Sequence, residues 1–335
     1  MTRLARMARA WAAFGGLTAG LVSCGGSDAA PARRVVVVDA VALPGGDGSV
    51  GAPWINLDAA LEQAGPGVEI HLRPGVYRGP FRTSAGGSED LPLRIVGAKG
   101  ATLIAAENEH LLTIAHDDVH VEGLTLREAD QLLVVDGARN VSIRANTFRD
   151  AAGECVRLKR SRDVVIEANT VDGCGLRGFD LPEDRKNGEG IYIGTAPEQT
   201  DGEPDRSAGI VVRGNDIRSP AECVDVKEGA TEVLIEANRC RGGLDPVSGG
   251  ISVRGNGVVV RDNDITDQAG SGVRLGGDRR GDGVDNEVTG NRISEVDGYG
   301  VKIERTPQAA VCGNRIEGAD AGDSNTSTIR PDAAC

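Results

Sequence analysis

The chain has 335 residues, with 50 acidic against 37 basic side chains and a formal charge of −13. That balance excludes nucleic acid as a partner of the surface at large, because a polyanion is repelled unless cations are concentrated locally. Only four Phe, three Tyr and two Trp are present, too few for a face that stacks neutral sugars on rings, so any saccharide read here is a charged one.

Three arginines, Arg3, Arg6 and Arg9, precede an apolar run from Ala10 to Val22. The run is too short to span a bilayer and has the form of a signal peptide. It ends in Leu21-Val22-Ser23-Cys24, which resembles a bacterial lipoprotein cleavage box. That resemblance implies a leader over 1–23 and lipidation at Cys24. With Gly25 following, it also implies an extracytoplasmic, outer-membrane location in a Gram-negative source. An ordinary secretory leader is the alternative. Losing the leader takes the charge from −13 to −16. Residues 24–34, small and polar, read as a tether.

The main domain is expected over 35–318. Val35–Val38 is suited to a first buried strand, and Trp54-Ile55-x-Leu57-x-Ala59-Ala60-Leu61 has helical spacing that ends near Gly65-Pro66-Gly67. Such a short helix can plug the open end of a solenoid core. Val68–Leu72, the turn at Pro74-Gly75, and Leu93–Val96 continue as strands.

From Leu111 the chain becomes periodic. An aliphatic-x-aliphatic-x-x-Asn-x-aliphatic pattern recurs at Asn146, Asn169, Asn215, Asn238, Asn263, Asn291 and Asn314, with spacings of 23, 46, 23, 25, 28 and 23 residues. A repeat of this length marks a solenoid. One coil is read as 23 residues and the gap of 46 as two coils. An Asn at the same turn of each coil can stack its amide in a ladder and satisfy turn backbone groups. A shorter strand precedes each Asn strand: 155–159, 190–194, 223–227, 250–254, 272–276 and 300–304. Gly makes up 48 residues, about twice its usual share.

Stacking the short strands gives two columns on the phase away from the valines: Arg157, Tyr192, Asp225, Ser252, Arg274, Lys302, and Lys159, Gly194, Lys227, Arg254, Gly276, Glu304. By alternation both columns face solvent. Glu154, Glu189 and Glu222 lie just ahead of three consecutive strands. Insertions at 173–187, 195–208, 241–248 and 277–285 flank the same set of strands and wall a groove. Glycines 190, 194, 250 and 276 are read as leaving its floor open. Six cysteines follow Cys24. Cys312 and Cys335 are candidates for a disulfide, Cys174 could reach Cys155 or Cys223, and Cys240 reads as core. Residues 319–335 read as a tail.

The repeat resembles the right-handed parallel β-helix of the pectin-lyase-like superfamily, which implies an all-β solenoid with a short N-terminal capping helix. Glu222-x-x-Asp225-Val226-Lys227, with Ile251-Ser252-Val253-Arg254 one coil on, is similar to a motif of polysaccharide lyase family six. By that resemblance Lys227 would be the base, Arg254 the general acid or charge neutraliser, and Glu222 a calcium ligand. The family's second glutamate is Pro220 here. Chemically, β-elimination of a uronate needs an unprotonated base and a neutralised substrate carboxylate. Calcium on Glu189, Glu222 or Asp225 would serve both needs. Arg157, Lys159, Tyr192, Arg274 and Lys302 would bind substrate. The expected partner is thus an acidic polysaccharide, with the membrane reached through the lipid anchor. Cleavage by β-elimination, a non-catalytic carbohydrate-binding or structural role at the surface, and hydrolysis by paired carboxylates are the three functional readings. Oligomeric state is not legible.

Overall fold

The computed structural model describes residues 33–177, 179, 187–320 and 329–335. The expected leader, Cys24 and the tether as far as residue 32 lie outside the described residues, as do 178 and 180–186 of the first insertion and 321–328 of the tail. Three parallel sheets of eleven, nine and ten strands run the length of the solenoid. Each regular coil contributes one strand to each sheet. Arg139–Arg144 belongs to the eleven-stranded sheet, Thr147–Ala151 to the ten-stranded sheet and Val156–Lys159 to the nine-stranded sheet, after which Arg162–Glu167 starts the next coil. Adjacent coils stack in register, with Val141 beside Val164 and Ile143 beside Ile166.

Alternation explains the core. In Arg139–Arg144, Val141 and Ile143 point inward and are buried, while Arg144 is exposed. Phe148 of the same coil is fully buried. On the solvent side of the eleven-stranded sheet, Arg144, Glu167, Arg213, Glu236 and Arg261 are successive partners. Their charges alternate, and the ion pairs include Arg213 Nε to Glu167 at 3.1 Å and Arg261 Nη2 to Glu236 at 2.6 Å. Exposed pairs of this kind each contribute little, but the alternation avoids stacking like charges on consecutive rungs.

The repeated asparagines are buried and form a continuous ladder. Asn215 donates its backbone N–H and its Nδ2 to Asn238 Oδ1 at 3.0 and 2.9 Å, and Asn238 does the same to Asn263 at 2.9 and 3.0 Å. Each Nδ2 also donates to a carbonyl in the preceding coil, for Asn238 that of Val212 at 3.0 Å. The residue before each Asn is in the left-handed region, as at Ala168 (φ 55°) and Ala237 (φ 53°). The side-chain bonds hold a turn that is costly for a residue with a Cβ.

One part of the reading is corrected. The gap of 46 residues is a single coil, not two: Asn169 donates directly to Asn215 Oδ1 at 2.9 Å, and Arg162–Glu167 pairs with Ala208–Arg213 with no strand between. The additional length is loop on either side of Ile191–Ile193. The capping helix is also shorter than its apolar spacing suggested. It spans Leu57–Leu61, because Asn56 takes the N-cap and accepts the Ala59 N–H. Leu57, Ala60 and Leu61 are buried in the core cluster.

Disulfides join Cys155 to Cys174, Cys223 to Cys240, and Cys312 to Cys335. Cys240 is therefore not a free core thiol; it is buried because its bridge to Cys223 lies inside the coil. The Cys312–Cys335 bridge fixes the tail, whose Pro331 carbonyl accepts from Asn314 N and Nδ2 at 3.0 and 2.9 Å.

Asn238→Ala leaves two buried donors of Asn215 without an acceptor, at about 1–3 kcal/mol for each unsatisfied group. Urea denaturation should show a loss of that order, whereas the exposed neighbour Arg239 replaced by Ala should stay within about 0.5 kcal/mol of the parent. Equal effects would contradict a structural role for the ladder.

Candidate functional site

The nine-stranded sheet carries the site. Its pairings place Arg157 beside Tyr192, Tyr192 beside Asp225, Asp225 beside Ser252, Ser252 beside Arg274 and Arg274 beside Lys302. The neighbouring column is carried by ladder bonds from the N–H groups of Gly194, Lys227, Arg254, Gly276 and Glu304 to the carbonyls of Leu158, Ile193, Val226, Val253 and Leu275. Arg254 therefore lies one rung from Lys227, about 4.8 Å away at the backbone.

These columns point away from the core, yet solvent does not reach their centre. Asp225 is 1% exposed, Tyr192 4% and Lys227 8%. The expectation of a solvated polar face fails here because the inserted loops fold back over it. Asp205, in the loop after Ile191–Ile193, accepts from Thr195 Oγ1 at 2.7 Å and from Arg160 N at 2.9 Å. That fold-back brings Pro204 so close to Gly229 that a Cβ there would lie 2.6 Å away. From the other side Asp278 donates its N–H to Glu228 Oε1 at 3.2 Å and pairs through Oδ1 with Arg254 at 3.0 Å. The two loops meet around a cavity of about 410 Å³ lined by Pro197, Glu198, Asp201, Gly202, Asp278 and Arg279. The glycines do not form an open floor. A Cβ on Gly190 would strike Ile217 and the Cys223 carbonyl, and one on Gly250 would crowd Gln268, Ile265 and Cys240.

Inside this enclosure Lys227 Nζ pairs with Asp225 Oδ2 at 2.6 Å. Two cations approach the Tyr192 ring, Arg157 from the rung before at 4.5 Å and Lys227 from the rung after at 4.7 Å. Arg157 is in turn held by Glu154 and by Gln199, each at 2.7 Å. Lys159, in the other column, is half-buried, and its pKa is lowered by burial and by Arg157. At the far end Arg274 and Lys302 both bind Glu304, at 2.7 and 2.9 Å. Arg157 and Tyr192 thus sit under the roof at the centre, while Arg274 and Lys302 stand three and four rungs beyond Tyr192.

Glu189, Glu222 and Asp225 each place a carboxylate oxygen within 4.8 Å of the others. Burial first, then Glu222 and Glu154, push Glu189 up to about 8. Burial and Asp225 raise Glu222 as well. For Lys227 burial is the largest influence and pulls the pKa down, but Asp225, Tyr192 and Glu189 together outweigh it and hold the ammonium form. Arg254 is shifted upward in the same way, burial being outweighed by Asp225, Glu228 and Asp278. Asp225 Oδ1 is buried with no hydrogen-bond partner among the described residues. Three converging carboxylates with an orphaned oxygen fit a hard cation such as calcium. Counting neighbours, Arg157, Lys227 and Arg254 face Glu154, Glu189, Glu222, Asp225, Glu228 and Asp278; with Glu189 protonated, and even with Glu222 protonated as well, four carboxylates remain against three cations.

Glu228 and Gln199 were not among the residues selected from sequence. Glu228 is buried, follows Lys227 directly and joins Arg254 (3.5 Å) to the 277–285 loop. Its position after the strand gave it no column, so period-two reasoning passes over it. Gln199 lies in a loop with no repeat to index it.

The family model described as a right-handed β-helix region matches residues 185–330. By fold the chain is a right-handed parallel β-helix. No curated protein matches the sequence. Among solved structures, an alginate lyase from Paenibacillus sp. strain FPU-7 superposes with a TM-score of 0.71 at 23% identity, covering 86% of this chain and 96% of that one. The pectate lyase Pel9A gives 0.61 at 12% identity, covering 91% and 82%. A DFA-IIIase from Arthrobacter chlorophenolicus A6 gives 0.52 at 15%, covering 87% and 86%.

Glu189 gives a pH signature. Its folded pKa of about 8 lies above the ordinary carboxylate value, so the folded state holds a proton that the unfolded chain has lost. Stability from this group is complete below about pH 4 and falls as pH rises toward 8. The melting temperature of the metal-free protein should drop over that interval, Glu189→Gln should flatten the drop, and millimolar calcium should reverse it, because a cation replaces the proton. A pH profile indifferent to calcium would count against a cation at these carboxylates.

Proposed function

We propose that the groove engages an acidic polysaccharide and cleaves it by β-elimination, with Lys227 as base and Arg254 as neutraliser of the substrate carboxylate. The observation that carries this reading is the buried Lys227–Asp225 ion pair (2.6 Å), set between the Glu189–Glu222–Asp225 cluster and Arg254 on the next rung. The fold shared with lyase structures supports it at the level of scaffold alone.

In this reading Lys227 must first give up its proton. Asp225, Tyr192 and Glu189 are what retain it, and burial and Arg254 are what oppose it. A cation on the three carboxylates would supply positive charge to offset Asp225 and the substrate carboxylate. Lys227 Nζ then takes the proton from the carbon beside the uronate carboxylate, and the C–H electron pair forms the new C=C bond. The C–O bond to the leaving sugar breaks and its oxygen takes up a proton from solvent, to which Lys227 returns the one it removed. Arg254, whose own pKa is shifted upward, is suited to hold charge at the carboxylate rather than to donate a proton. Glu228 and Asp278 fix its guanidinium. Substrate reaches Lys227 only if the loop over it, with Pro204 above Gly229, gives way.

One observation favours a purely binding role for the groove: Lys227 is 8% exposed and holds its proton as an ammonium. Ultraviolet absorbance of the unsaturated product, followed on a panel of uronate polymers with and without chelator, separates the two. For the lyase, absorbance grows on at least one polymer, is lost on chelation, and falls by about 10²-fold or more in Lys227→Ala assayed below its own melting temperature, where it is folded. Polymer binding without absorbance would establish the binding role, and release of reducing ends without absorbance would indicate hydrolysis.

A further inference from the structure

The charge balance reverses along the groove. At the centre carboxylates outnumber cations, as counted above. Arg274, two rungs beyond Asp225, and Lys302, three rungs beyond it, share the carboxylate of Glu304, which they hold below its ordinary range against the opposing pull of burial. Beside Glu304 opens a cavity of about 440 Å³ lined by Arg280, Glu304, Arg305 and Thr306. Arg305 is half-buried and fixed by backbone alone: Nη1 donates to the Glu304 carbonyl at 3.0 Å and Nε to that of Arg279 at 3.4 Å. Arg280 comes from the inserted 277–285 loop. Among the described residues neither Arg280 nor Arg305 has a carboxylate partner. The nearby Asp282 turns to the N–H of Arg279 at 3.2 Å. Among the described residues, Arg274, Lys302, Arg280 and Arg305 thus gather about Glu304, in a protein whose overall charge is −13.

We infer that this cavity is a distal subsite for a carboxylate-bearing sugar unit, with Arg280 and Arg305 as its anion-binding residues. A guanidinium held by carbonyls is pre-organised and presents its remaining N–H groups without first breaking an ion pair. The rungs from Lys227 through Arg254 and Gly276 to Glu304 span roughly 14 Å, about three sugar units along an extended chain. The subsite thus holds a polyanion by a unit remote from the centre and offsets the repulsion that the acidic centre imposes. The inference rests on the polysaccharide reading of the groove and adds to it the length of chain that is recognised.

The test is isothermal titration of the full mature chain with trimers and heptamers of alginate and of polygalacturonate, comparing the parent with the double variant Arg280→Ala/Arg305→Ala. Both residues lie on the surface side of the groove, and an unchanged melting temperature checks folding. The parent should prefer the heptamer. The double variant should lose about tenfold in heptamer affinity, with a shallower salt dependence and unchanged trimer affinity. Equal affinity of the parent for trimer and heptamer, an unaltered heptamer affinity in the variant, or an equal loss for both lengths would overturn the subsite while leaving the polysaccharide reading in place. A parent that binds no oligouronate of either length would overturn both.

Discussion

The structure depends on one constraint, the in-register stacking of every coil on the next at a single strand spacing. Backbone hydrogen bonds set the spacing, but parallel strands with aliphatic interiors could slip by two residues and still bury their side chains. The asparagine ladder removes that freedom. Each Asn side chain accepts from one neighbouring coil and donates to another, so a slipped coil would leave buried amides unpaired. Positions fixed by the ladder on one sheet are thereby fixed on the other two.

That rigidity is what turns a linear motif into a site. Arg157, Tyr192, Asp225 and Ser252 are far apart in sequence and adjacent in space because four rungs repeat the same geometry. On the exterior of the eleven-stranded sheet the same stacking yields alternating charges that neutralise one another. Around Asp225 it concentrates carboxylates beyond the capacity of the neighbouring cations, and the loops keep water away from them. Burial without full pairing is costly, and the raised Glu189 pKa and the orphaned Asp225 Oδ1 are its two visible marks.

Much of this was legible in the sequence, for a physical reason. The period-two alternation and the Asn spacing together index every residue of a short strand, so the column from Arg157 to Lys302 could be written down from the sequence alone. Loops have no such index. The 46-residue coil was read as two because its insertions nearly equal a coil in length, and only strand pairing shows that no rung intervenes. Alternation states which side of a sheet Asp225 and Lys227 occupy; it does not state whether a loop covers that side. Cys240 shares the inward phase of Ile217, and nothing in the local pattern distinguishes a packed thiol from one bridged to Cys223. One signal was present and unused: the residue before each repeated Asn is Ala, Gly or Asp, the sign of the left-handed turn that the ladder supports.

The ladder also has a direction. Every Asn gives its backbone N–H and one Nδ2 hydrogen to the Oδ1 of the following Asn and receives the same pair from the one before, while Nδ2 also donates back to a carbonyl of the preceding coil, so the two ends of the array are chemically unlike. At the first rung the leftover group is an oxygen, which accepts the Leu124 N–H; at the last rung it is a pair of donors, which the tail meets with the Pro331 carbonyl. The Asn314 end of the ladder therefore needs an acceptor from outside the repeat, and the Pro331 carbonyl, on a segment tied back by the Cys312–Cys335 bridge, is that acceptor.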